Sequence, residues 1–421
     1  MNSLEPGSII AANKPISSYP ALWRNKAFIL LFTASTISLL GNAFHSLALS
    51  LWVLQETGSA KAMSILLIVN LIICSLLGSV TGTLADRFNR RRIILGAYFI
   101  QSIFVLGIAA CLASPHPSFV LIVCLTGVVT AAGQFQGPAF QASLRCIAGT
   151  EHIQKAAGWM SLSENISRTA GYALGGIFVA AFGGTLAIVI DGMAFLAALL
   201  AVSLAGSFSS PVLTGGAKGQ SFKQDILSGF RFIWRNPFAK AITILLPILS
   251  LFFLSSLMLT QVMAVKVWNA TPLEFGLMEG CIPLGYMLGA GFIVATGDKL
   301  KYRGRVIIYS LLLIGPLYAV LSFTSTMWIA IPLILLIGFT FAFSTLLINI
   351  ILRLEVPEDL QGRMFGVLGS LMSVAPPLGL AVFSSSADLF GPSSVMLAVG
   401  VMLLVFGIWA YHELRFIREY Q

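Results

Sequence analysis

Apolar stretches, each long enough to cross a bilayer, follow one another along almost the whole chain. A crossing takes about 20 mostly apolar residues for a hydrocarbon core of roughly 30 Å. Runs of that kind, broken by glycine, proline and clusters of charge, predict twelve helices. They fall at 27–54, 59–85, 92–113, 118–145, 154–182, 185–206, 238–267, 273–297, 305–324, 327–352, 362–388 and 392–412. The polar positions gather between the runs, and the longest polar interval, 207–237, separates six spans from six. The pattern therefore predicts an all-α membrane protein, with two pseudo-symmetric bundles of six transmembrane helices.

Composition agrees with a bilayer as the solvent. Of the 421 residues 57% are hydrophobic and 10% charged, against roughly 45–50% and 25% in soluble domains. The formal charge of +9 would suggest nucleic acid in a soluble protein, but in a membrane protein it follows from basic loops on the cytoplasmic side. With the N-terminus placed inside, 22 of the 25 Lys and Arg fall in the two tails, in the even-numbered loops or at the span ends that border them. Only Lys61 and Lys266 fall on the other side, and Arg168 lies within a span. No other register sorts them so cleanly, so both termini are expected in the cytoplasm. The first residues carry no apolar core with a small-residue cleavage site, and are read as a tail rather than a signal peptide.

This divides the chain into a tail (1–26), an N-terminal bundle (27–206), a cytoplasmic linker (207–237), a C-terminal bundle (238–412) and a second tail (413–421). In the linker Phe222, Ile226, Phe230 and Ile233 recur at helical spacing among Lys223, Arg231 and Arg235, which predicts an amphipathic helix on the membrane surface. The cysteines (Cys74, Cys111, Cys124, Cys146 and Cys281) are scattered without ligand spacing and read as small packing residues rather than a metal or disulfide set.

One loop carries a specific motif. Gly82-Thr83-Leu84-Ala85-Asp86-Arg87-Phe88-Asn89-Arg90-Arg91-Arg92, between spans two and three, resembles the loop signature of the major facilitator superfamily. Asn89 stands where that family has Gly; Asn tolerates a left-handed backbone, so the turn is expected to survive. A second copy after span eight, around Asp298 and Lys299, is degenerate. The resemblance covers nearly the whole chain. It extends to the macrolide-efflux and enterobactin-exporter-like branch through Leu54-Gln55-Glu56-Thr57-Gly58-Ser59-Ala60 and Pro357-Glu358-Asp359-Leu360-Gln361-Gly362-Arg363-Met364-Phe365. It implies that Gly82, Asp86, Arg87 and Arg90 form a gating loop, with Asp86 facing the start of span eleven near Gly362 and Arg363. A carboxylate there would be held by the partial positive charge of a helix N-terminus. For Arg91 and Arg92, topology alone is sufficient reason. Antiporters of the superfamily show a G-P-x-x-G-G run in span five; here Gly171, Gly175 and Gly176 remain, and Tyr172 replaces the proline. Pro376, Pro377 and Gly379 supply the counterpart in span eleven. These small residues and prolines serve either moving bundles or simple tight packing.

Ionisable residues inside spans are costly and become candidates for coupling or substrate contact. Glu164 and Arg168 lie four apart on one helical face of span five, and are read either as a buried proton site or as a permanent bridge. Asp191 and Glu279 lie early in spans six and eight, where each could gate the outer mouth, attract a cationic cargo or reach the interface. His45 in span one could titrate or act as a polar packing residue. No G-x-x-x-x-G-K-[ST] loop is present to suggest ATP as the drive, nor an HExxH or GxSxG constellation to suggest an enzyme. The expectation is a secondary transporter of the bacterial plasma membrane, without cofactor or nucleic acid, drawing on the proton gradient. It would act as a monomer in the lipid bilayer on an amphipathic small-molecule substrate such as a macrolide. The alternatives are export of a siderophore or peptide natural product, uptake by symport, and a ligand-binding membrane receptor.

Overall fold

The computed structural model describes residues 22–206, 236–297, 302–356 and 358–414, together with Ile233 and Arg418. Most of the linker lies outside the described residues, Phe222, Ile226 and Phe230 of its amphipathic segment included, as do Asp298 and Lys299. After a short 3-10 turn (Leu22–Arg24) come α1 (Lys26–Thr57), α2 (Ala60–Arg87) and α3 (Arg90–Leu112). The helical run Phe119–Phe182 is broken at Gly149 into α4 (119–148) and α5 (150–182). Then follow α6 (Gly184–Leu204), α7 (Pro237–Lys266), α8 (Pro272–Thr296), α9 (Arg303–Ser322), α10 (Met327–Glu355), α11 (Glu358–Phe390) and α12 (Pro392–Glu413). Each coincides with one predicted span. Eleven of the twelve are long and apolar enough to cross a membrane. The exception is α5, where Glu151, Lys155, Glu164 and Arg168 interrupt the apolar run.

The ends are written in local chemistry. Asn25 caps α1 by accepting from the backbone N–H groups of Ala27 and Phe28, and its own amide donates to the Ile147 carbonyl at 3.1 Å, tying α1 to the end of α4. Gly58 closes α1 with φ +57. Thr271 and Glu274 form a reciprocal capping box at the start of α8. Asn89 corrects the expectation drawn from the motif. Its backbone is extended (φ −65, ψ 108), not left-handed, and its side chain caps α3 by accepting from Arg92 N. A polar side chain there satisfies an orphan N–H that a glycine could not.

Lipid gives little hydrophobic reason for one helix to seek another, so close backbone approach and interhelical hydrogen bonds hold such bundles together. In the N-terminal bundle Gly171 and Gly175 of α5 lie against Ala43 and Phe44 of α1. Asn70 of α2 and Thr130 of α4 share a hydrogen bond, and Ser102 of α3 donates to the Gly192 carbonyl of α6. In the C-terminal bundle Gly379 of α11 lies against Leu251 and Ser255 of α7, and Gly315 of α9 against Gly400 of α12. Pro376 and Pro377 sit inside α11, one turn before that contact. The halves meet along two seams, α5 with α8 and α2 with α11. We call the face where α1 begins and α12 ends the terminal face, and its opposite the far face.

Candidate cargo cavity and its seals

A cavity of about 790 Å³ lies between the halves. Its walls come from Ser161 to Tyr172 of α5, Leu246 to Leu257 of α7, Glu279 to Tyr286 of α8, Phe341 to Asn349 of α10 and Leu368 to Met372 of α11. Asn349 stands six residues, about 9 Å, from the terminal-face end of α10. The cavity thus runs from mid-depth toward the terminal face. Its lining is mainly apolar, with Phe253 and Phe341 stacked at 3.9 Å, and the polar groups stand at a few positions. That mixture suits an amphipathic ligand.

The charged groups divide unequally. Glu164 and Arg168, about 21 and 27 Å along α5, pair at 3.4 Å as the i,i+4 spacing predicts. They are not buried: both side chains are half-exposed on the cavity wall. Glu279 is buried, and its Oε1 accepts from the Gln261 amide at 3.0 Å. No cation pairs with it among the described residues. His45 and Asp191, read separately in the sequence, meet: Nδ1 lies 3.1 Å from Oδ2, with both side chains buried. They face a second chamber, inside the N-terminal bundle, which Arg168 also borders.

Both seams are tight on the far face. At the α5–α8 seam, a Cβ on Gly176 would stand 2.6 Å from the Pro272 carbonyl and 3.1 Å from Gly276 Cα. Main chain meets main chain there. At the α2–α11 seam, Asp388 caps the start of α2 from across the interface. Its carboxylate accepts from Ser59 Oγ at 2.7 Å, Ala60 N at 2.8 Å and Lys61 N at 3.1 Å. Lys266 Nζ approaches it at 4.0 Å, and Ser64 bonds Ser384 one turn further in. The sequence reading passed over Asp388 because it is the last residue of a predicted span, where an acid passes for a loop residue. The signal was available in Lys61 and Lys266, the two basic residues on the wrong side of the charge bias, which both stand beside it.

On the terminal face, Arg90 donates to the Ala142 carbonyl at 3.3 Å, and Arg91 to the Ser203 carbonyl at 2.7 Å. These arginines join the loop to the C-terminal ends of α4 and α6, where carbonyls favour cations. The side chains of Gly82, Asp86, Arg87, Gly362 and Arg363 lie outside those described, and the latch implied for them stays a proposal.

The order of the helices, the two seams and the cavity between them are the arrangement of a major facilitator. The family model described as transmembrane secretion effector matches residues 16–419. The chain belongs to that family of major facilitator transporters. The multidrug efflux pump Tap of Mycolicibacterium fortuitum is 25% identical to it over 403 residues, 92% of this chain and 95% of that protein. The macrolide efflux protein A of Streptococcus pyogenes is 22% identical over 394 residues, 92% and 95% of the two chains. An enterobactin exporter of Shigella boydii is 26% identical over 399 residues, 91% and 90%. Among solved structures, an inward-facing bacterial homologue of the human lysosomal transporter Spinster superposes with a TM-score of 0.73 at 14% identity, covering 94% of this chain and 98% of that one. The protein is thus a multi-pass membrane transporter of an efflux family, and not an enzyme.

Proposed function

We propose that this transporter exports an amphipathic small molecule bearing a basic nitrogen, a macrolide or another drug, across the bacterial plasma membrane by alternating access. The observation that carries the reading is the cavity between the halves, with its aromatic walls and a buried Glu279 carboxyl that pairs with no cation among the described residues. With the basic loops in the cytoplasm, the terminal face is cytoplasmic and the described conformer is the one that loads cargo from inside. The proton gradient supplies the drive, and the protein needs no cofactor. Its cargo is its only necessary partner besides the bilayer. Asp86 closes the cytoplasmic side in the opposite conformer, by meeting the N-terminal turn of α11 near Gly362 and Arg363.

The test is a drug-susceptibility and metabolite-retention screen on a deletion strain, followed by flux in inside-out vesicles. Increased sensitivity to basic amphipathic drugs, together with their energised uptake into inside-out vesicles, is the expected outcome. Retention of an anionic siderophore alone would refute the basic-cargo reading. Cation uptake by right-side-out vesicles would reverse the direction, and binding without flux under any gradient would make the protein a receptor.

A further inference from the structure

The second chamber, about 550 Å³ inside the N-terminal bundle, is separate from the cargo cavity and polar in a different way. Three side chains that line it, Asp191 of α6, Gln101 of α3 and Thr126 of α4, each carry a buried oxygen (Oδ1, Oε1 and Oγ1) with no hydrogen-bond partner among the described residues. Leaving such groups unpartnered is costly, so this wall calls for compensating donors or positive charge. Asp191 sharpens the requirement. A buried carboxylate needs a compensating charge, and Arg168 on the same wall already pairs with Glu164. That leaves the imidazole of His45, 3.1 Å from Asp191 Oδ2 and off the line of a good hydrogen bond. The other titratable groups on the same chamber wall, among the described residues, are Cys74 of α2 and Arg168 of α5; Tyr98 of α3 lies behind the wall, against Phe195.

We infer that the His45–Asp191 pair is the seat of the coupling proton, in a wet chamber apart from the cargo. This rests on the proposed export function. With the proton bound, imidazolium and carboxylate compensate each other and Arg168 remains with Glu164. When the proton leaves His45 for the chamber water, Asp191 is left as a second acceptor for Arg168, which among the described residues alone borders both compartments. Arg168 turning inward frees Glu164 on the cargo side to meet a basic cargo. Proton and cargo then exchange without sharing a carboxylate.

Two measurements on the full chain decide this. In nanodiscs with isotope-labelled histidine, pH is lowered from about 8 to about 5, with His45→Gln assigning the signal. The His45 signal is expected to change protonation in that interval, to shift its midpoint at least tenfold in proton concentration in Asp191→Asn, and to keep it in the exposed control Glu56→Gln. A signal that does not titrate, that ignores Asp191→Asn, or that follows sodium against choline at fixed pH overturns the assignment. In inside-out vesicles with the amphipathic cation ethidium as probe, His45→Gln and Asp191→Asn should lower accumulation driven by the pH gradient at least tenfold more than they lower downhill exchange. Equal loss of both overturns the coupling role. A wild type that moves no ethidium speaks against the basic-cargo reading instead, and the histidine titration still decides the proton site.

Discussion

Replacing Asp388 by Asn should unbalance the transporter toward opening at the far face. The carboxylate receives three hydrogen bonds from Ser59, Ala60 and Lys61 and has Lys266 at 4.0 Å. Asparagine keeps one acceptor oxygen, but turns an NH₂ group toward backbone donors and removes the charge from the start of α2. Losing one hydrogen bond to a charged group is worth about 1.5–3 kcal/mol. The charge at a helix N-terminus adds about 0.3–1 kcal/mol, and the partial exposure of the side chain (19%) argues for the low end of both. A net change of about 2 kcal/mol corresponds to a roughly 30-fold shift in the conformational ratio. Spin labels at Glu56 and Ser325, both exposed on the far face, would report it by pulsed electron resonance after the native cysteines are replaced. The longer distance should gain population by that factor, and Ser59→Ala, which removes one neutral donor, should give a smaller shift of about fivefold for about 1 kcal/mol. An unchanged distance distribution in Asp388→Asn would refute the view that this carboxylate holds the seam.

Other substitutions test the remaining elements. Glu279→Gln keeps a partner for Gln261 but removes the carboxyl that a cationic cargo would meet, and should weaken ethidium binding to the purified protein at least tenfold while leaving a neutral amphipathic probe within about twofold. Gly176→Val drives a side chain into the Pro272 carbonyl and should cost about 1–3 kcal/mol, seen as a lower unfolding temperature in detergent together with lost flux. Asn89→Ala should lower thermal stability by about 1 kcal/mol and Asn89→Gly by only a few tenths; the opposite order would mean that a left-handed residue is required there.

Helix positions were legible because lipid leaves the chain few choices. A segment without water must satisfy its own backbone, so length and apolarity specify the spans, and even α5 was recognisable despite its four charges. Spacing along one helix was equally readable, as the Glu164–Arg168 pair shows. Contacts between distant segments were not. His45 and Asp191 are 146 positions apart, and nothing in either neighbourhood names the other; only the packing of α1 on α6 brings them together. The exposure of Glu164 and Arg168 was not legible either, since depth within the bilayer is a property of the helix, whereas exposure to a cavity depends on where the other half stands. Asn89 shows a third limit. The residue type signalled a turn, but whether it would bend left-handed or cap the next helix depended on an unsatisfied N–H three residues on.

The two seals of the far face are made of different materials. At one edge a carboxylate grips three donors that water could satisfy as well; at the other, glycines bring two backbones together with little for water to replace. Such a closure does not part evenly. The wet edge between α2 and α11 is expected to peel first, with the dry edge between α5 and α8 engaged as the hinge. Cargo would then leave through an off-centre slit, and its width would depend on how far the bundles swing about Gly176 and Gly276.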